Sequence, residues 1–177
     1  MSANPFETLG VEPRFDLDIK ALEERHRTLS GTLHPDRYAG KPATERRMAL
    51  DQAIAVNTAW RALRDPVKRA ESLLTLQGVK VGETAEPQAP PALLMEMMDV
   101  HEELVEARQQ RDLDRLAALR GRMQSHERSA LERLTTGFSE AGSDRDSLTA
   151  LLPLLGELRY LHRFFEQLDA IEDQLLS

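Results

Sequence analysis

The sequence predicts an all-α fold in two parts, an N-terminal antiparallel helical hairpin with His34-Pro35-Asp36 at its tip and a C-terminal three-helix bundle. Three observations predict it. Leu22, Leu29 and Leu33, then Ala49, Ala53, Val56, Trp60 and Leu63, recur at spacings that fit a 3.6-residue period. Pro35 removes a backbone donor and disfavours helical geometry at His34, so the chain must turn between those two helices. A proline-rich stretch, GETAEPQAPP from Gly82 to Pro91, has no apolar period and separates the hairpin from a wholly helical remainder.

The elements follow in order. Phe6 and Leu9 mark a short helix from Asn4 to Leu9, closed by Gly10 at a left-handed position. The next helix starts at Asp16 or Asp18, either of which can accept from a free first-turn amide, and runs to Leu33. Gly40 and Pro42 punctuate the loop after the tripeptide, and a third helix spans about Ala43 to Arg64. Asp65-Pro66 is a cap followed by a helix-opening proline, and Gly78 is a closing residue, so Pro66 to Gln77 is a fourth helix with Leu73, Leu74 and Leu76 on its apolar side. Residues 1–77 form the first domain, 78–91 the linker and 92–177 the second domain.

In the second domain, helices are expected from Ala92 to about Gln110, Leu113 to about Thr136 and Ser147 to about Leu176. Arg111-Asp112 makes the first turn, and Gly137 with Gly142-Ser143-Asp144 marks the second. The last helix carries Leu148, Leu151, Leu155, Leu158, Phe165, Leu168 and Leu175 on one face. Pro153 either marks a later start or kinks it.

Charge divides the chain as its elements do. The 177 residues carry a net charge of -7, and the first 77 hold 12 Lys/Arg against 11 Asp/Glu while the rest hold 11 against 19. An acidic second half and the absence of a basic patch argue against general nucleic-acid binding, which works by displacing counterions from phosphates. There is no cysteine, which excludes a disulfide framework, a thiol nucleophile and cysteine-held zinc or iron-sulfur clusters. Neither a leader-like segment nor an apolar stretch of membrane-spanning length is present, so a soluble cytoplasmic protein is expected.

Enzyme readings find little support. His26, His34, His101, His126 and His162 include no pair one helical turn apart, and no metal or cofactor is expected. His34 and Asp36 stand on an exposed turn where nothing excludes water or tunes a pKa. No phosphate loop, nucleophile elbow or dinucleotide fingerprint occurs. Lys20, Arg25, Arg27 and Arg37 are ordinarily a solvated face; beside the tripeptide they become a candidate steering patch. Asn57 is read as tying the loop to its helix.

The first helix of the bundle has a surplus of apolar residues. Leu93, Met97, Val100 and Leu104 form one complete stripe, and Leu94, Met95, Met98 and Val105 form a second beside it. Periodicity cannot phase the helix, so either stripe can be the core one. The other is a candidate binding face, since methionines repack against partners and Asp99, Glu102 and Glu106 supply a polar rim.

The order helix, His-Pro-Asp loop, helix over residues 4–77 resembles a J-domain. The stretches NPFETLG, LHPDRYAG, NTAWRALRDP, KRAESLL, LLMEMMDVHEEL and ELRYLHRFFEQL are similar to the HscB family of iron-sulfur cluster co-chaperones over nearly the whole chain. The resemblance implies that His34, Pro35 and Asp36 engage an HscA-like ATPase chaperone of the heat-shock 70 kDa class and stimulate its hydrolysis. It implies too that Leu94, Met95, Met98, Asp99, Glu102, Glu106 and Tyr160 bind the IscU-like cluster scaffold protein, the chain itself being no enzyme. A J-domain adaptor for a different client is the alternative. Three positions depart from the family pattern: His26 replaces an aromatic, Ser30-Gly31 replaces larger polar residues, and Asp99 replaces Glu.

Overall fold

A computed structural model describes residues 4–81 and 90–176 of the chain. Every regular element among the described residues is a helix, and the chain divides into two compact units, Met1–Val79 and Lys80–Ser177. Residues 82–89, most of the expected linker, lie outside the described residues.

In the first unit, α1 (Pro5–Leu9) is opened by Asn4, whose side chain accepts from the Phe6 amide, and closed by Gly10 at φ 61°. Asp18, rather than Asp16, caps α2 (Ile19–Thr32) by accepting from the Lys20 and Ala21 amides. The helix stops at Thr32, one residue short of Leu33. After the tripeptide turn come α3 (Ala43–Arg64) and α4 (Pro66–Leu76). Asp65 accepts from the Val67 and Lys68 amides while Pro66 fills the first helical position, where its missing donor removes nothing.

Phe6, Leu9, Phe15, Leu22, Val56, Leu63, Val67, Leu73 and Leu74 are buried together with small residues of α3 and α4. Of α2, only Leu22 is fully buried, so the hairpin depends on other contacts between α2 and its neighbours. Arg69 ties the helix join instead of standing in solvent. Its Nη1 donates to the Leu63 carbonyl at 2.8 Å and its guanidinium lies 4.9 Å from the Phe15 ring centroid. Burial pushes this guanidinium below the ordinary arginine range, against the opposing pull of Asp65 and Asp16.

The second unit is built on α5 (Pro91–Gln110), α6 (Leu113–Ala141), a short α7 (Arg145–Thr149) and α8 (Leu152–Leu176). Arg111 takes a left-handed conformation at φ 54°, which lets the Asp112 amide donate back to the Ala107 carbonyl at 2.9 Å. Asp112 then caps α6 by accepting from the Arg115 amide.

Two boundaries differ from the sequence expectation. Gly137 does not turn the chain: α6 continues through it to Ala141, and the residue is small because the Leu151 side chain occupies the space a Cβ would need. The turn falls at Gly142-Ser143-Asp144 alone. The expected last helix is two, because Pro153 sits in the first turn of α8, and Arg145–Thr149 forms a separate turn capped by Asp144.

Leu93, Met97, Val100, Leu104 and Ala107 of α5 meet Leu116, Leu119 and Met123 of α6 and Leu161, Phe164, Leu168 and Ile171 of α8 in one core. Phe164, not Phe165, is the buried aromatic, and Phe165 and Leu175 pack only at the edge. At roughly 1.5 Å per residue, α6 runs about 43 Å against about 30 Å for α5. Its far end is covered instead by α7 and the start of α8, where Leu148, Leu151, Leu155 and Leu158 are buried.

Ion pairs cross the faces of this bundle. Arg120 reaches Asp169 at 2.6 Å and Glu172 at 2.8 Å, and the Asp169 hydrogen bond is the main cause holding its guanidinium above the ordinary range. Arg133 pairs with buried Glu157 at 2.6 Å, which satisfies a carboxylate otherwise costly to enclose.

Candidate functional sites on the two units

His34, Pro35 and Asp36 do not form an open loop. Pro35–Tyr38 is a turn of 3-10 helix capped by His34, whose backbone is extended at φ -60°, ψ 133° because the following proline disfavours the helical region. The His34 carbonyl accepts from the Arg37 amide at 3.0 Å. His34 Nδ1 accepts from the Asp36 amide at 3.3 Å, which places the ring hydrogen on Nε2, facing away from the turn. The Asp36 Oδ2 stands 3.4 Å from the same Nδ1, a contact that becomes an ion pair only in protonated histidine. The two side chains are 59% and 88% exposed. The proline ring and these local bonds fix a small rigid knob, with imidazole and carboxylate both in water.

The basic residues near it are not equivalent. Arg25 is exposed but engaged within its own unit: Nε donates to the Leu9 carbonyl and the guanidinium lies beside Gly10. Arg27 pairs with Glu23 at 3.2 Å. Lys20 and Arg37 are exposed, the latter on the turn itself.

Below the turn stands a cluster that spacing alone does not reveal. His26 stacks on Trp60, with ring centroids 5.1 Å apart and planes 11° from parallel. Its Nε2 lies 2.9 Å from Asn57 Oδ1 and 3.2 Å from Ser30 Oγ. Asn57 therefore binds α2 to α3 and is not tied to the loop. The departures His26 and Ser30 belong to one another, four residues apart on one helical face.

On α5 the structure resolves the phase. Leu93, Met97, Val100 and Leu104 are buried, whereas Leu94, Met95, Met98 and Val105 are 42%, 71%, 68% and 49% exposed. Asp99 and Glu102 are exposed beside them. Glu106 is already engaged, 2.8 Å from Arg115 Nη2, so the unspent rim is Asp99 and Glu102. Tyr160 is half-buried against the core on α8, with Arg163 5.9 Å from its ring centroid. Glu96 and Glu103, on the opposite side of the helix, pair with His126 and Arg122 at 3.1 Å. The ion pairs thus spend the acids at the helix interfaces and leave an acidic fringe beside the apolar stripe.

Among the described residues no three His, Asp or Glu side chains gather as a metal site requires, and no helix is long and apolar enough to cross a membrane. Residues 89–169 match the family described as HSCB C-terminal oligomerisation domain. The co-chaperone protein HscB homolog of Burkholderia multivorans is 34% identical over 167 residues, covering 94% of this chain and 95% of that protein. The homolog from Shewanella sp. strain ANA-3 is 30% identical and covers 98% and 99%. Among solved structures, chaperone HscB from Vibrio cholerae superposes with a TM-score of 0.83 at 30% identity, over 97% of this chain and 99% of that one. Human co-chaperone HscB, at 20% identity and a TM-score of 0.84, shows the same fold over 97% of this chain and 83% of its own. An all-helical J-domain followed by a helical bundle, alike over nearly the full length of such relatives, places this chain in the HscB family, the co-chaperones of iron-sulfur cluster assembly.

Proposed function

We propose that the chain works as a bridge between two proteins and carries out no catalysis of its own. His34, Pro35 and Asp36 engage an HscA-like chaperone of the heat-shock 70 kDa class and accelerate its ATP hydrolysis, with Lys20 and Arg37 steering the approach. Leu94, Met95, Met98, Asp99, Glu102 and Tyr160 hold an IscU-like cluster scaffold, and the protein does this in the cytoplasm. Glu106 contributes less, because binding would have to compete with Arg115. In this reading residues 1–77 are the chaperone-facing domain, 78–91 the linker and 92–177 the scaffold-facing domain.

One observation carries the reading: α5 buries one complete apolar stripe and leaves a second, equally long one in water. A helix that needed only its own bundle would keep polar residues there. The rigid exposed turn is its counterpart on the first unit.

The test is a steady-state ATPase assay of an HscA-like chaperone with the wild-type chain, with the scaffold, and with both. Both together should stimulate more than the product of the separate effects. His34→Gln, at an exposed position, should alter stability by no more than about 0.5 kcal/mol and abolish the stimulation. Undiminished stimulation by that variant would remove the turn from the mechanism, and absence of synergy would defeat the bridge.

A further inference from the structure

Beside the exposed stripe on α5 stands a polar side chain, His101, to which the scaffold-binding reading assigns no role; the role proposed for it rests on that reading. His101 stands one turn from both Met98 and Val105, between the exposed stripe and the buried one. Its ring packs toward α8, 6.4 Å from the Phe164 ring centroid and tilted 58°. Nδ1 is enclosed and has no hydrogen-bond partner among the described residues.

That orphaned atom decides the tautomer. A neutral imidazole carries its hydrogen on one nitrogen only. An enclosed N–H without an acceptor is a rarer and worse outcome than an enclosed lone pair, so the hydrogen belongs on Nε2. The only enclosed, unpartnered side-chain atoms among the described residues are His101 Nδ1 and Arg69 Nε, which leaves Nε2 on the open side of the ring. Leu94, Met98 and Val105 supply apolar contact and no donor. His101 supplies one directed N–H in their midst.

We propose that His101 is a specificity-determining residue of this face: its Nε2–H donates to a carbonyl or carboxylate oxygen of the scaffold seated on Leu94, Met98 and Val105. A partner that covers the stripe without an acceptor at that point strips the donor of water and returns nothing. The acidic fringe of Asp99 and Glu102 calls for basic groups at the partner's rim, so the complementary surface is apolar at the centre, basic at the edge and marked by one acceptor. Non-directional apolar contact alone discriminates poorly between partners of similar size, and a buried directed bond discriminates well.

The experiment is calorimetric titration of the full chain with an IscU-like scaffold protein. Gln places its amide nitrogen where the imidazole has Nε2, and Asn places it where the imidazole has Nδ1. His101→Phe and His101→Asn should each weaken Kd about tenfold, while His101→Gln stays within about threefold of wild type. Circular dichroism checks folding, and if the Phe variant is unfolded the Gln and Asn pair decides by itself. Equal weakening by all three variants, or none by any, overturns the assignment of His101. The double variant Leu94→Ala, Met98→Ala separates the two ideas. If it loses binding while His101→Phe does not, the scaffold reading stands and the His101 inference falls; if it binds as wild type does, or if the wild-type chain fails to bind, both fall.

Discussion

Met97 and Met98 are adjacent in sequence and chemically identical, yet 1% and 68% exposed, so replacing each by alanine isolates the phase of α5 from everything else. Met97 lies in the core with Leu104, Met123 and Phe164. Truncating it removes buried methylene and thioether contacts and leaves a cavity among residues that are themselves fully packed, which costs about 2 to 5 kcal/mol. Met98, 68% exposed, has little buried surface to lose, and its truncation should fall within about 0.5 kcal/mol of wild type. With a urea m-value of about 2 kcal/mol/M, a loss of about 3 kcal/mol moves the midpoint down by about 1.5 M. Two units require two probes. Trp60 is the only tryptophan and belongs to the first unit, so its fluorescence follows that unit while circular dichroism in the far ultraviolet follows both. Met97→Ala should shift the ellipticity change that Trp60 does not track. Scaffold binding should respond in the opposite order, with Met98→Ala weaker by about 1 to 3 kcal/mol if Met98 is an anchor. Equal destabilisation by the two variants, or a larger one from Met98→Ala, would refute the phase and the binding face built on it.

Two further outcomes come from the polar contacts. His26→Ala removes the Trp60 stack and the bond to Asn57 and should destabilise the first unit by about 1 to 2 kcal/mol; His26→Phe should lose about half of that, as read from the Trp60 fluorescence midpoint. Asp144 caps α7, and hydrogen bonds from the Ser147 side chain and amide hold its carboxyl below its ordinary 3.8. A depressed carboxyl stabilises the folded chain above its unfolded pKa, and that contribution disappears as pH falls through the lower folded value. Asp144→Asn should therefore flatten the dependence of melting temperature on pH between about pH 5 and 2, and an unchanged acid limb would contradict the role of the cap.

Features set by neighbours in sequence are legible without a structure. Asn4, Asp65 and Asp112 cap helices because a short acceptor meets amides two or three residues away, and Gly10 closes α1 because a left-handed residue is needed there. Features set by packing are not. Gly137 has the look of a turn because mid-helix glycine is unfavourable, and only the approach of Leu151 supplies the reason for it. Arg25 has the look of a free cation because nothing in its spacing announces a carbonyl 16 residues away. Glu106 has the look of a rim residue because its partner, Arg115, is on another helix. The two stripes of α5 are equal in pattern, and only the positions of α6 and α8 decide which is enclosed.

The same distinction explains where unspent groups gather. Among the described residues the two buried charged side chains find partners within their own unit: Glu157 has Arg133, and Arg69 has the Leu63 carbonyl and the Phe15 ring. What is left over lies at the surface, as a turn whose backbone is fixed while its side chains face water, and as a methionine stripe with no cover of its own. Both side chains of the turn stand in water, and its one ring-to-backbone bond is long at 3.3 Å. The turn can act as a shape. In the proposed function, a knob held by Pro35 and the His34 carbonyl would lose little conformational freedom on docking, so most of its contact energy would be available for stabilising one state of a partner over another. In the proposed function the methionine face would work the other way, adapting its side chains to a surface and relying on a few directed polar groups for discrimination. A rigid effector and an adaptable receptor are what a chain needs if it is to switch on one partner while it holds another.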